Sequence, residues 1–279
     1  MTATLVSSSV YEDPAYLAAS AAHEGAGLVW VGDGGLELAL LRRPDGALRT
    51  VYGLPRPVGE GSPAELAGRL ATLGSPLTAV LSPLGAGGQL ARALVDAGGT
   101  IVGRRDISVA DLAGGDPAAA IASRTRRAIR VALRRGAQVR VTPLTPWFGA
   151  FYRAAMAELE AAPIYFFADD YFDALTRVDH YQVTVEDADG PAAAALFIRG
   201  GGETYYHLGG RRAGDAVPGA MNLALAQGLR HGGEAGDLVG VLGGGRTDAP
   251  DDSLLAFKRQ LAPQLRPRLT VAVGGEGAA

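Results

Sequence analysis

A chain of 279 residues is long enough to bury one large core or two ordinary ones. With 48% hydrophobic and 20% charged residues it has the composition of a globular protein, and a net charge of -3 supplies no bulk attraction to nucleic acid. The absence of cysteine excludes disulfides, thiolate metal sites and thiol nucleophiles; no apolar run reaches membrane-spanning length and no basic, apolar leader precedes Val10, so no membrane span is expected and the cytoplasm is the expected location. In chain order, period and turn chemistry predict a helix over Asp13 to His23, strands at Leu28 to Val31, Leu36 to Arg42 and Leu48 to Tyr52, and a helix over Pro63 to Leu73. A strand at Leu77 to Leu81, a helix over Gly88 to Ala97 and a strand at Thr100 to Gly103 follow. After a joining segment around Asp106 to Pro117, an arginine-rich helix runs from about Asp116 to Arg135, with further helices over Trp147 to Glu160 and Asp169 to Val178. Three strands then form a meander at Tyr181 to Glu186, Ala192 to Arg199 and Glu203 to Leu208, turned by Asp189-Gly190-Pro191 and Gly200-Gly201-Gly202. A helix over Pro218 to Arg230, a strand at Leu238 to Leu242, a helix over Ser253 to Leu261 and a strand at Arg268 to Val273 complete the chain.

The same order of elements occurs twice, with negligible identity between the copies. The expected fold class is therefore α/β (α+β), built as two copies of one unit, each a mixed, mostly antiparallel sheet flanked by helices, over residues 1–107 and 108–279.

Of the 26 Lys and Arg residues a single one is lysine, Lys258. Lysine is a compact point charge and arginine a planar fork, so a chain that uses arginine everywhere else has kept a primary ammonium at one place. On a helix capped by Asp251 or Asp252, Leu254, Phe257, Lys258 and Leu261 share a face and Arg259 takes the other. The ammonium therefore points inward with apolar residues, where it is costly unless an anionic partner meets it. The alternative is a lysine at a helix end that snorkels to water.

Six short segments in order resemble one family. They are Arg127-Ala-Ile-Arg-Val-Ala-Leu-Arg-Arg-Gly136, Phe151-Tyr-Arg-Ala-Ala-Met156, Tyr171-Phe172, Tyr205-Tyr-His-Leu-Gly-Gly210, Leu242-Gly-Gly-Gly245 and Ser253-Leu-Leu-Ala-Phe-Lys258, covering roughly Arg124 to Ala262. The set resembles the Fem-type acyltransferases, tandem members of the GCN5-related N-acetyltransferase (GNAT) superfamily. The first half adds Tyr11-Glu-Asp-Pro-Ala-Tyr-Leu17 and Tyr52-Gly53. The resemblance implies tandem GNAT-like domains that join an aminoacyl group, taken from aminoacyl-tRNA, to an amine of a peptide or a peptidyl small molecule. It places Phe257 and Lys258 at the acyl-transfer site, with Tyr206 positioning the acceptor, and it brings Tyr152 and Tyr171 among the substrate-binding residues. The chain departs from the cell-wall members in lacking the long helical hairpin that some of them carry.

Acyl transfer also needs a base, for which Tyr206, His207, Asp169 and Asp170 are candidates. Alternation along a strand puts Tyr206 and Leu208 on one face and Tyr205 and His207 on the other. Asp169 and Asp170 read first as a helix N-cap pair before Tyr171, and His207 first as a partly exposed or hydrogen-bonded structural histidine. On a helical wheel Arg126, Arg127, Arg130 and Arg134 fall within a stripe of roughly 100°, with Ile121, Ala128, Ile129, Ala132 and Leu133 on the packing side. Arg127, Arg130 and Arg134 are accordingly candidate phosphate ligands, against the alternative of a solvated face. Arg211-Arg-Ala-Gly-Asp-Ala216, before a helix, fits the pattern with which acetyltransferases hold a CoA pyrophosphate, making Arg211 a candidate for an acyl-CoA donor. Leu242-Gly-Gly-Gly-Arg246 reads as a flexible loop. No Walker motif, metal-ligand spacing or Gly-x-Ser-x-Gly elbow is present, so no metal and no resident cofactor are expected. The leading expectation is an aminoacyl-tRNA-dependent N-acyltransferase; the alternatives are an acyl-CoA-dependent one and a non-catalytic binding protein of the same fold.

Overall fold

The structure is a computed structural model, and it describes residues 9–32, 35–114, 117–214, 216–249 and 251–274. The chain forms two compact units, one of residues 1–106, 247–250 and 266–279 and the other of residues 107–246 and 251–265.

In the first unit, helix α1 (Pro14–Glu24) starts with Asp13 accepting from the Ala15 amide and Pro14 preset for the first turn. Strands β1 (Gly27–Val31), β2 (Leu38–Arg42) and β3 (Leu48–Thr50) form the expected antiparallel meander. Helix α2 (Pro63–Ala71), capped by Ser62, crosses to β4 (Leu77–Val80), which runs parallel to β3. Helix α3 (Gly85–Asp96) follows. The core is aliphatic, with Leu38, Leu40, Leu66, Leu70, Leu77, Leu90 and Leu94 almost wholly buried. Tyr11 and Gly53, both from segments singled out in the sequence, touch one another. Gly53 has φ of 106°, and a Cβ there would lie 2.1 Å from the Tyr11 ring, so two reasons demand glycine.

The second unit begins with the inner half of β5 (Thr100–Asp111). The sequence predicts a strand of four residues there and a joining segment from Asp106 onward. Instead Ile107, Ser108, Val109 and Ala110 are buried and pair antiparallel with β10 (Val239–Gly244). Helix α4 (Ser123–Arg134) follows a short 3-10 turn at Pro117–Ala120; Asp116, its expected start, lies outside the described residues. A strand that the sequence reading omits, β6 (Gln138–Thr142), pairs with β7 (His180–Asp187). It is a half-exposed edge strand of five residues, too short and too polar to show a burial period. Helices α5 (Phe148–Glu158) and α6 (Asp169–Leu175) lead into the predicted meander of β7, β8 (Gly190–Gly200) and β9 (Glu203–Arg211). Helix α7 (Ala220–Glu234) crosses to β10, parallel to β9, and helix α8 (Ser253–Arg259) follows.

The last strand, β11 (Gln264–Val273), is the second departure from the expected boundaries. Residues 270–273 pair antiparallel with β4, and Val271 and Val273 complete the first unit's core. A division at residue 107 assigns this strand to the second unit; its pairing assigns most of it to the first. The α/β class with helix-flanked, mostly antiparallel strands stands as expected. No helix among the described residues is long and apolar enough to cross a membrane.

Candidate functional site

Strands β9 and β10 are paired only over Glu203–Tyr205 and Val239–Val241. Beyond that point β10, which is paired with β5 from Val239 to Gly244, bulges between Val241 and Gly243, while β9 continues to Arg211 without it. Backbone groups that a ladder would otherwise satisfy therefore face a V-shaped opening. Leu242 to Gly244 belong to this bulged strand, in place of the expected flexible loop.

Lys258 stands at the opening. Asp252 caps α8 by accepting from the Leu255 amide at 2.9 Å, and its other oxygen accepts from the Arg246 amide at 2.8 Å, tying the end of β10 to the helix. One and a half turns on, Lys258 is only 7% exposed whereas Arg259 is exposed, as the amphipathic pattern predicts. Its Nζ donates to the Gly244 carbonyl at 2.8 Å and lies 5.5 Å from the centroid of the Tyr206 ring. The ammonium thus links both arms of the opening, and the last turn of α8 presents its negative dipole end to it. Phe257 is half-buried against the core beside it.

Tyr206 is the first β9 residue past the paired segment. Its ring packs 5.8 Å from Phe197, and its hydroxyl makes no hydrogen bond to a described residue. Burial holds the phenol protonated, with its pKa well above the usual tyrosine range. The expectation that Tyr206 and Leu208 share a face is overturned by a β-bulge: Phe197 pairs with Tyr206 but Leu196 with Leu208, which leaves His207 as the extra residue. One inserted residue reverses the alternation, so Tyr206 points with Phe197 and Leu208 with Leu196 to the opposite side.

His207 is hydrogen-bonded through Nε2 to the Tyr171 hydroxyl at 2.8 Å, and burial lowers its pKa to about 3. Tyr171, 3% exposed, and Tyr152, 2% exposed, lie in an aromatic cluster with Phe148, Phe167 and Phe172. The structure therefore gathers Lys258, Phe257 and Tyr206, and it gathers Tyr152, Tyr171 and His207 in a separate packed group. Asp169 and Asp170 sit in the first turn of α6 and do not cap it; the cap position is Ala168, and Asp169 pairs with Arg153 at 2.7 Å.

The arginine helix meets the lysine helix at one point that the sequence reading missed. The Ala122 amide donates to the Gln260 carbonyl and the Thr125 hydroxyl to Gln260 Oε1, both at 2.8 Å. The start of α4 is thus fixed two residues from Lys258. Arg127, Arg130 and Arg134 are exposed and make no ion pair with a described residue. Arg126, in contrast, donates to the Ile121 and Ala119 carbonyls and braces the turn before the helix. Leu133, expected on the packing side, is 48% exposed; Thr125 and Ala132 are the fully buried positions.

Arg211 is exposed at the end of β9, and its neighbour is the one that builds structure. Arg212 holds Asp187 with two bonds from Nη2, at 2.9 and 2.8 Å, and Asp187 accepts from the Val217 amide just before α7. These contacts hold the Asp187 carboxyl below the ordinary range, against the opposing effect of its desolvation, which is the largest influence on it. Gly219, the α7 N-cap, has φ of 88°, and a Cβ there would lie 2.5 Å from the Ala128 carbonyl oxygen. A carboxylate and a carbonyl of α4 already stand at the start of this helix; Asp215 of the pattern lies outside the described residues. No group of three described His, Asp or Glu residues is placed to hold a metal.

No family model and no curated protein matches the chain. Its likeness to solved structures extends over nearly its whole length. FemX is 14% identical with a TM-score of 0.64, over 94% of this chain and 93% of that one. L-PGS from Bacillus licheniformis is 16% identical with a TM-score of 0.64, over 95% and 92%. The C-terminal domain of a lysylphosphatidylglycerol synthetase from Agrobacterium fabrum is 17% identical with a TM-score of 0.60, over 96% and 90%. At such identities the likeness is one of fold, and it agrees with the resemblance carried by the six segments: the chain shares the fold of FemX and of the lysylphosphatidylglycerol synthetase domain.

Proposed function

We propose that this chain is an N-acyltransferase that takes an aminoacyl group from aminoacyl-tRNA and passes it to an amine of a peptide or a peptidyl small molecule. The observation that carries the reading is the buried Lys258 ammonium, held by the Gly244 carbonyl across the opening between β9 and β10 and over the face of Tyr206. In the reaction the acceptor nitrogen bonds to the ester carbonyl carbon, the carbonyl oxygen takes up negative charge, and the ribose oxygen leaves with the proton that the amine gives up. A fixed ammonium in a water-poor site stabilises that oxyanion at little reorganisation cost. In this reading the Tyr206 hydroxyl orients the acceptor amine, and Phe257 anchors the helix to the core beside the lysine. Arg127, Arg130 and Arg134 supply a phosphate-binding face on a helix anchored to the end of α8, which suits an RNA donor.

A tRNA donor is favoured over acyl-CoA by what stands at the start of α7. The pyrophosphate reading of Arg211 to Ala216 requires free amides and room there, whereas the Val217 amide already donates to Asp187 and the Ala128 carbonyl oxygen stands against Gly219. The name of the lysylphosphatidylglycerol synthetase domain, a protein of the same fold, is also that of an aminoacyl transfer.

The test follows labelled aminoacyl groups from charged tRNA, and acyl groups from acyl-CoA in parallel, to a panel of peptide amines. Lys258→Ala is expected to lower turnover by about 10² to 10³ with donor binding little changed, the pattern for a contact made in the transition state. Lys258→Arg keeps the charge but not the compact donor geometry and is expected to be impaired as well. Full activity of both variants would sink the assignment; transfer from acyl-CoA alone would select the CoA alternative, and transfer from neither a binding role.

A further inference from the structure

An open groove of about 230 Å³ lies between α4 and α7, within the second unit. Its floor is Ile121, Ile129, Leu223 and Ala226, and its rim carries Arg126, Arg130 and Arg230. The acyl-transfer reading uses Arg130 of its rim and none of its apolar floor. Arg126 is engaged with backbone carbonyls and Arg230 with Gln227 and Glu234, so both guanidiniums are fixed beside the opening, while Arg130 has no ion-pair partner among the described residues. One turn beyond Ile129, Leu133 extends the apolar strip to the surface, 48% exposed. Helix α4 carries five arginines and no acid, with Arg135 at its end.

We propose that this face docks on an anionic lipid bilayer, with the arginines on headgroup phosphates and one acyl chain entering the groove. Charge complementarity selects an anionic occupant, and the apolar floor selects one that brings hydrocarbon alongside its charge. RNA phosphates satisfy the rim and leave the floor wet. A partner helix needs a row of anchor pockets along the groove, whereas this one is short, lined by α4, α7 and the turn before α4. The inference shares Arg130 with the proposed RNA face but rests on the apolar floor, which acyl transfer does not need.

The experiment is co-sedimentation of the whole protein with vesicles of phosphatidylcholine, with and without phosphatidylglycerol, together with binding of a single-stranded RNA. Binding to the anionic vesicles only is expected, weakening as salt rises. Ala226→Trp, which fills the groove, and Leu133→Glu, at an exposed position where folding is indifferent, are each expected to weaken vesicle binding at least tenfold and to leave RNA binding within about twofold. Each basic side chain near an anionic surface contributes about fivefold, so Arg126→Gln with Arg130→Gln should lower vesicle binding about 25-fold. Equal binding to uncharged vesicles, or wild-type binding by Leu133→Glu, overturns the proposal. Equal losses of vesicle and RNA binding in Ala226→Trp would assign the groove to RNA and overturn it too.

Discussion

Within the second unit two buried polar side chains, Lys258 and His207, behave oppositely because their surroundings differ. Lys258 reaches a carbonyl and an aromatic face at an opening, whereas His207 is bonded to the Tyr171 phenol beside an aromatic cluster. Burial depresses the His207 pKa from an ordinary 6.5 to about 3, so the folded protein keeps the ring neutral where the unfolded chain protonates it. The stabilisation is complete above pH 6.5 and declines as pH falls from there toward 3. Replacing His207 by Gln removes the titration. The variant is expected to be less stable than wild type at pH 8 and to lose less stability on going to pH 4, by on the order of a few kcal/mol. Urea unfolding at both pH values measures this, and parallel losses in the two proteins would show that His207 titrates normally. Lys258 was legible in the sequence because its composition and its helical position agree. The orientation of Tyr206 was not, because alternation is a rule for an uninterrupted strand and β9 is interrupted at His207.

Helix α4 shows how far an amphipathic pattern carries. The pattern located the exposed stripe, and Arg127, Arg130 and Arg134 are indeed on it. It did not distinguish Arg126, whose guanidinium turns back to two carbonyls, nor did it reveal that Thr125 and Ala122 fasten the helix to Gln260. Those partners are 135 residues apart in the case of Thr125, a separation that no local periodicity encodes. If the stripe holds the donor RNA, replacing Arg127 and Arg134 by Gln should weaken binding of all tRNAs about equally. The log–log salt slope should flatten by roughly 0.7 for each phosphate contact removed. Filter binding across a salt series decides the matter: an unchanged slope with transfer intact returns the stripe to a solvated face.

On the scale of the molecule, strand membership is the informative feature. Residues 270–273 follow the lysine helix in sequence yet complete the core that begins near α1, and residues 107–111 do the corresponding service in the second unit. Val271→Ala, deep in the first unit's core, should cost about 2 kcal/mol and speed amide exchange at residues 77–80 while leaving residues 239–241 unchanged. Hydrogen exchange read by mass spectrometry makes the comparison. Faster exchange confined to residues 239–241 would mean that the last strand stabilises the second unit.

The sequence by itself determined the local matters: the helix starts near Asp13, Pro63 and Ser253, the two meanders, the second with its glycine turns, and the inward Lys258 with the outward arginines. Capping, period and amphipathicity act over a few residues and are written in consecutive letters. Only the tertiary structure decided where strands β5 and β11 pair, where β9 parts from β10, and that the Gly244 carbonyl receives the ammonium. Pairing between strands is a competition among distant segments for the same unsatisfied backbone groups. Its outcome depends on which arrangement buries the most apolar surface, and no short stretch of sequence contains both competitors.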